Sequence, residues 1–405
     1  MAQKNMTSRE RVLKALNHEE PDRIPRDLGG TESSGMTAYA LYHLQRHLRL
    51  PINLTIFDPY QYVAYIGDEL KSKFHIDMAN LTPGPKNWIQ RSNPRGFDVR
   101  LPDAWRESTD ENGMTVVRDA NGLTIARRPK DGYYFDPVNP PLQHIASPTE
   151  IEKHKETLFS FDYASFADES ADDLQKRAQS MRASNDCIVF NLCCHILAAG
   201  QLLRGYENFM IDLMTDESLV KTLLDCLIEG YHRRIDRLAP LLKDSIDIVL
   251  LNDDLGTQNG PMLALSTYRA LIKPYQKALF AHVKKAFGKP ILFHSCGAVR
   301  EFIPDLIEIG VDALNPVQLS AQGMDARGLK RDFGNDITFW GGGIDTQSVL
   351  NKSTPSEVAE SVRRNVDRLA PGGGFVFCQV HNIQADVPAE NVIAMYKALD
   401  ECGHY

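Results

Sequence analysis

Cys187-Ile-Val-Phe-Asn-Leu-Cys193 is the first of six short apolar runs that alternate with helical patterns toward the end of the chain. The other five runs are Ile246–Asp253, Ile291–His294, Ala313–Val317, Ile337–Trp340 and Phe375–Cys378. Helical patterns separate them, for example at 299–308 and 355–369. Apolar strands that alternate with helices predict a parallel sheet covered on both faces.

Two further candidate strands precede these six, one near Ile24 and one at Asp77–Leu81. Eight strands is the number in a (β/α)8 barrel, and such barrels keep their active sites at the carboxyl ends of the strands. Polar residues follow several of the predicted strands at that end. We therefore predict an α/β protein with a TIM barrel fold. An open doubly wound sheet has the same local pattern and stays an alternative.

The N-terminal part elaborates on the barrel. Helical patterns cover about 8–18 and 38–48, and a β-hairpin-rich insertion covers about 87–137. In that insertion Asn112-Gly113 and Asn121-Gly122 punctuate β-branched runs, which is typical of hairpins. We predict a single barrel domain over residues 1–405.

Composition narrows the function. The 405 residues carry a formal net charge of -8, which argues against sequence-independent binding of nucleic acid. We find no signal-peptide pattern and no run of about 18 apolar residues, so we expect a cytoplasmic protein without a membrane anchor. Seven scattered cysteines are an odd count and do not form a disulfide framework. The sequence leaves the oligomeric state open, and a homodimer is one option.

A metal site is predicted in the segment Pro290-Ile-Leu-Phe-His-Ser-Cys-Gly-Ala298. His294 and Cys296 lie two residues apart at the end of a strand, so their side chains point to the same side. With Cys378 they form a three-ligand set, which is typical of a catalytic zinc ion with an open fourth position. The alternative is that both cysteines are buried apolar residues. His381 is a rival or additional ligand, or a group that contacts the substrate.

Further polar residues follow other strands. Asp253 and Asp254 are candidates for general acid–base catalysis, although a helix-capping role is equally compatible with their position. Candidate cofactor-binding residues are Asn315, Gln318, Gly342 and Asp345. Cys193-Cys194-His195 is a weaker candidate for a second metal site. Arg23 and Arg26 could either bind an anionic substrate or form salt bridges.

Several segments together resemble the uroporphyrinogen decarboxylase superfamily, and within it the branch of corrinoid-dependent methyltransferases. The resemblance covers nearly the whole chain, from RERVLKALNHEEPDRIP through NDDLGTQNGPMLALSTYRALIKPY and FHSCG to HNIQADVPAENVIAMYKAL. The decarboxylases carry an arginine-rich segment of the MRQAGRY type after the first strand. Here Ile24-Pro-Arg-Asp-Leu-Gly-Gly-Thr31 keeps one arginine, which disfavours porphyrin decarboxylation.

The resemblance implies zinc bound by an HxC motif and a distant cysteine, which His294, Cys296 and Cys378 match. In thiol-methylating members the slot of the last cysteine aligns better with His381, so either residue fits. The implied reaction moves a methyl group from a methoxylated, aromatic substrate to the cob(I)alamin of a separate corrinoid protein. In that reaction Asp253, Asp254 or His381 would supply a proton as the catalytic acid. The alternatives are methyl transfer from the corrinoid to a thiol and a metal-free lyase reaction.

Overall fold

The structure is a computed structural model that describes residues 6–119, 121–160 and 166–405. Its centre is a seven-stranded parallel sheet whose strands lie side by side in the order in which they occur along the chain. The strands are Met78–Leu81, Cys187–Asn191, Ile248–Asn252, Ile291–His294, Ala313–Asn315, Thr338–Trp340 and Phe375–Val376. All seven fall within or beside the runs predicted from the sequence.

The segment around Arg26 fills the gap between the first and last strands. Arg26 forms a parallel bridge with Phe377, and the Phe377 N–H donates to the Pro25 carbonyl at 2.9 Å. On the other side, the Asp77 N–H donates to the Arg26 carbonyl at 2.9 Å. Backbone hydrogen bonds therefore join both edges of the sheet through this segment. The predicted TIM barrel is confirmed, and the open doubly wound alternative is wrong.

Alternate residues of each strand belong to two different cores, as the period of two requires. Ile248 and Leu250 belong to a small apolar cluster inside the barrel, with Leu292, Trp340 and Cys378. The residues between them along the strands pack instead in the large core between the sheet and the surrounding helices. Both faces of every barrel strand are buried, which explains the continuous apolar runs in the sequence.

Fifteen α-helices occur in the described residues. They are Ser8–Leu16, Ala38–His47, Asp68–Phe74, Pro148–Lys153, Lys155–Phe159, Ala171–Met181, Leu197–Arg204, Tyr206–Thr215, Glu217–Leu242, Leu265–Thr267, Lys273–Phe287, Ile303–Glu308, Ala326–Phe333, Pro355–Leu369 and Ala389–Cys402. A π-helical turn at Tyr268–Ile272 and a 3-10 turn at Arg300–Phe302 extend two of them. The helix at Ser8 begins with a capping box between Thr7 and Glu10.

Short antiparallel sheets lie outside the barrel in the N-terminal half. The predicted hairpin-rich segment contains the hairpin Trp88–Asn93 with Phe97–Pro102 and the four strands Glu107–Thr109, Thr115–Arg118, Thr124–Arg128 and Asp136–Pro137. A further sheet joins Met36–Thr37, Val63–Ala64 and Ile56–Asp58. The turn at Asn112-Gly113 is confirmed, with Gly113 at a φ of 76° and Asp110 accepting from the Met114 N–H.

Asp77 contacts three arginines at the start of the strand Met78–Leu81. Its fully buried carboxylate pairs with Arg11 at 2.7 Å and with Arg23 at 2.7 Å, and it accepts from the Arg26 N–H at 2.9 Å. The Arg26 side chain instead pairs with Asp400 at 2.6 Å. Arg23 and Arg26 therefore form salt bridges that hold the barrel closed, and the interpretation as substrate-binding residues is wrong.

Among the described helices, none combines the length and the apolar composition that crossing a bilayer requires.

Candidate metal centre

His294, Cys296 and His381 come together beyond the carboxyl ends of two barrel strands. One potential ligand atom from each lies within 4.8 Å of the others. The His294 Nε2 is 3.3 Å from the Cys296 Sγ, and the centroids of the two imidazole rings are 5.7 Å apart. Two imidazoles and one thiol are a donor set that zinc takes in proteins.

Two glycines fix the loop that carries Cys296. Gly297 has a φ of 85°, and a Cβ atom on it would lie 2.4 Å from the Gly256 carbonyl carbon. Only glycine permits this approach of two backbones. The Gln318 side chain also accepts a hydrogen bond from the Gly297 N–H at 2.8 Å. The position of the Cys296 thiol is therefore set by the backbone of two neighbouring loops.

Asn315 orients the His294 imidazole. The Asn315 Nδ2 donates to the Trp340 carbonyl at 3.1 Å, so its Oδ1 faces the His294 Nδ1 at 2.8 Å. This arrangement places the ring proton on Nδ1 and leaves the Nε2 lone pair toward Cys296. A hydrogen bond of this kind to the second ring nitrogen is the usual support of a metal-binding histidine.

The protonation states of His381 and Cys296 are compatible with binding of a metal ion. Burial, followed by the charge of His294, lowers the pKa of His381 to about 4, so His381 is a neutral imidazole at neutral pH. Burial, followed by the charge of Asp254, raises the pKa of the Cys296 thiol well above its usual range. A zinc ion would displace this proton, because the thiolate is the binding form.

Cys378 is placed away from this group. Its side chain is fully buried in the apolar cluster inside the barrel, together with Trp340 and Val376. Of the two residues that the sequence offers as third ligand, the structure brings His381 to His294 and Cys296, and the interpretation of Cys378 as a ligand is corrected. The physical reason is that Cys378 continues the inward-facing alternation of its strand, whereas His381 lies beyond the strand with a φ of 64°.

The adjacent carboxylates Asp253 and Asp254 have different surroundings. Asp253 is buried and accepts from the Ile196 N–H at 2.9 Å, the Ala198 N–H at 2.8 Å and the Gln276 side chain at 2.9 Å. Burial raises the pKa of Asp253 to about 6. Asp253 therefore accepts hydrogen bonds at the amino end of the helix Leu197–Arg204, which lies earlier in the chain, and does not cap a helix that directly follows it.

Asp254 is half exposed and reaches the metal-site loop. Its Oδ1 accepts from the Cys296 N–H at 2.8 Å and lies 3.7 Å from the His294 Nε2. Of the two carboxylates, this one stays available for acid–base chemistry beside the cluster.

Two of the four predicted cofactor-binding residues support the metal site through hydrogen bonds. Asn315 orients His294, and Gln318 holds the Cys296 loop. Asp345 accepts from the backbone N–H groups at 347 and 348, and a Cβ on Gly342 would meet Val317 at 3.0 Å. None of these four is among the described residues that line the cavity beside the cluster.

A cavity of about 300 Å³ opens next to the cluster. Two of the three candidate metal ligands, His294 and His381, line this cavity together with Asp254 and His195. Its apolar lining includes Phe57, Tyr60, Phe135, Phe166, Pro59, Pro83, Pro85, Pro102 and Pro137. His195 follows the strand Cys187–Asn191, and its Nδ1 lies 2.7 Å from the Asn252 carbonyl, so it is a lining residue outside the three-residue metal group.

Two acidic residues in the cavity wall, Glu32 and Asp58, are absent from the sequence-based candidates. Glu32 receives a hydrogen bond from the Asn191 amide at 2.5 Å and another from the Asn252 amide. Burial, followed by the charge of Asp58, raises the pKa of Glu32 to about 7. Burial also raises the pKa of Asp58 to about 6. In the sequence, Glu32 is marked only by its position two residues after Gly29-Gly30, which ends the predicted strand near Ile24.

Comparisons with known proteins give a family and a fold. The sequence model of the uroporphyrinogen decarboxylase (URO-D) family matches residues 172–402. A solved methyltransferase from Methanosarcina mazei is 14% identical, with a TM-score of 0.57 over 98% of this chain and 99% of that one. Xylanase 10B from Thermotoga maritima is 14% identical, with a TM-score of 0.36 over 58% of this chain and 81% of that one. No curated protein sequence matches the chain.

Proposed function

We propose, from the premise that the chain belongs to the uroporphyrinogen decarboxylase family, that it is a zinc-dependent methyltransferase. The methyl group would come from a methoxylated aromatic substrate and pass to the cob(I)alamin of a separate corrinoid protein. The observation that carries the proposal is the group of His294, Cys296 and His381 beside an aromatic-lined cavity. The whole-chain likeness to a methyltransferase fold agrees with it.

The proposed ligands are His294, Cys296 and His381. Zinc held there supplies positive charge that stabilises the negative charge developing on the leaving oxygen. In the reaction the methyl–oxygen bond breaks and its electron pair stays on oxygen, while the reduced cobalt of the acceptor provides the pair for the new bond to carbon. The oxygen then needs a proton.

Asp254 is the candidate for delivering that proton. Asp253 is committed to three hydrogen bonds as an acceptor, and His381 belongs to the proposed ligand set. Asp254 lines the cavity, and its side chain is 49% exposed, so it can exchange protons with solvent and with a substrate oxygen.

Porphyrin decarboxylation fits the cavity less well. A porphyrin with several carboxylates calls for cationic side chains, and the described residues that line the cavity include no lysine or arginine. This argument adds to the missing arginine-rich segment near the first strand.

A direct assay tests the proposed function. The zinc-loaded protein is mixed with a reduced corrinoid protein and a panel of methoxyarenes, and conversion of cob(I)alamin to methylcobalamin is followed by absorbance. We expect conversion that requires both zinc and a methoxyarene. Zinc-independent decarboxylation, or demethylation of methylcobalamin only when a thiol is supplied, would replace this proposal with one of its alternatives.

Replacing Asn315 with alanine is expected to weaken zinc binding by about 10–100-fold, because the hydrogen bond that orients His294 is lost. Competition with a fluorescent chelator measures the affinity. Asn365→Ala is the matched control, since Asn365 is also a buried amide that donates to a backbone carbonyl, that of Gly343. Equal zinc affinities in the two variants would contradict the orienting role of Asn315.

A further inference from the structure

We propose that the methoxylated donor carries a protonated amine, which binds to Glu32 and Asp58 at the cavity wall. This inference rests on the proposed function and names the substrate class of the same site. Three features of the cavity carry it: the sign of its charges, an unpaired acceptor and its aromatic walls.

The charged side chains in the cavity wall are acidic. Its carboxylates are Glu32, Asp58, Asp253 and Asp254, and no described lining residue is a lysine or an arginine. Asp253 is committed to capping, and Asp254 lies beside the proposed metal ligands. Asp58 accepts from the N–H groups of Tyr60 and Gln61 at 3.0 and 3.2 Å, and neither it nor Glu32 has a cationic partner in the described lining. Buried carboxylates are normally paired with a cation or protonated.

The environment of Glu32 favours a ligand with positive charge. The side-chain amides of Asn191 and Asn252 hold its carboxylate in place, and Asp58 repels it. An ammonium group between the two carboxylates would turn this repulsion into attraction.

The second feature is an acceptor without a donor. Asn252 is 8% exposed and lines the cavity, and its Oδ1 has no hydrogen-bond partner among the described residues. Its Nδ2 is committed to Glu32, which fixes the amide with the oxygen as the unpaired atom. Because the unpaired group is an acceptor and its neighbours are carboxylates, the ligand must donate hydrogen bonds. A protonated amine has up to three N–H donors.

The aromatic walls fit the remainder of the donor. Phe57, Tyr60, Phe135 and Phe166 line the cavity, and the Tyr60 and Phe166 rings are 6.0 Å apart. Aromatic faces attract both flat rings and cations. The volume of about 300 Å³ suits a single-ring compound. The donor class is therefore a small methoxyaryl amine.

Calorimetric titration of the zinc-loaded protein tests this class with three probes that differ only in one group. These are 4-methoxybenzylamine, 4-methoxybenzyl alcohol and 4-methoxybenzoate. We expect the amine to bind at least about tenfold more tightly than the alcohol, because charge-assisted hydrogen bonds are roughly twice as strong as neutral ones. The benzoate should bind most weakly, since like charges repel.

Variants locate the binding site. Glu32→Gln and Asp58→Asn should each weaken amine binding by about 10–100-fold, as loss of a hydrogen bond to a charged group predicts, and leave alcohol binding nearly unchanged. Asp98→Asn, on an exposed hairpin, is the control and should change neither. Equal affinities for amine and alcohol, or an amine affinity insensitive to both cavity variants, would overturn the inference.

Methyl transfer is measured separately. Benzylamine, which has no methyl group to give, should bind like its methoxy analogue. Tight amine binding without methyl transfer would support the ammonium site and count against the proposed function. Methyl transfer from neutral methoxyarenes without any preference for amines would support the proposed function and count against the ammonium site.

Discussion

Replacing Cys296 with alanine is expected to reduce bound zinc from about one ion per chain to background and to abolish methyl transfer. Cys296 supplies the only sulfur atom in the three-residue group found among the described residues. Removing the charge stabilisation that zinc gives, about 4 kcal/mol or more, corresponds to a rate loss of at least about 10³-fold. Elemental analysis measures the metal, and the cob(I)alamin assay measures the rate.

Cys378→Ala is the matched control for that experiment. Its thiol lies in the apolar cluster inside the barrel, so we expect full zinc content and a loss of about 1–2 kcal/mol in the free energy of unfolding. His381→Ala should behave like Cys296→Ala. If Cys378→Ala lost its zinc and His381→Ala kept it, the ligand set proposed from the structure would be wrong.

Replacing Asp77 with asparagine is expected to lower the free energy of unfolding by about 3–5 kcal/mol, because it breaks a buried ion pair from one side. The carboxylate is fully buried and pairs with both Arg11 and Arg23, and asparagine keeps the shape without the charge. Two guanidinium groups would then lack their shared partner. Urea unfolding followed by circular dichroism gives the change in the midpoint.

Asp186→Asn is a control at the equivalent place on the next strand. Asp186 precedes the strand Cys187–Asn191 as Asp77 precedes Met78–Leu81, but its bridge to Lys71 is partly exposed. We expect a loss of about 0–1 kcal/mol. Similar losses in both variants would show that the buried arginine cluster does not stabilise the barrel more than a partly exposed pair.

The sequence predicts the barrel well because each strand is buried on both faces. Continuous apolar runs such as Ile291–His294 have no polar alternation to obscure them, and the prediction of that strand matches the structure residue for residue. The strand near Ile24 is not predictable in the same way, since this segment forms only isolated bridges, Arg23 with His404 and Arg26 with Phe377, and is not a regular strand.

The candidate site was predictable only in part. His294 and Cys296 lie on one strand and its loop, so their spacing alone indicates that they face the same side. The choice between Cys378 and His381 depends on the path after Val376, where the regular strand ends and His381 adopts a positive φ. Periodicity does not predict such a path.

Glu32 was not predicted because its partners are distant in the sequence. It meets Asn191 and Asn252, which are 159 and 220 residues away in the sequence. Contacts at that distance arise only from barrel closure, and a single glutamate after two glycines carries no spacing signal of its own.

The closure through Arg26 also governs the order in which the molecule can assemble during translation. The partners of this segment include Asp400, 374 residues later, and Phe377. Until Phe377 and Asp400 have left the ribosome, the strands Met78–Leu81 and Phe375–Val376 cannot both pair with this segment, and the nascent chain presents an unpaired sheet edge. We expect slow final folding and a dependence on chaperones that protect this edge, as contacts of such long sequence separation imply.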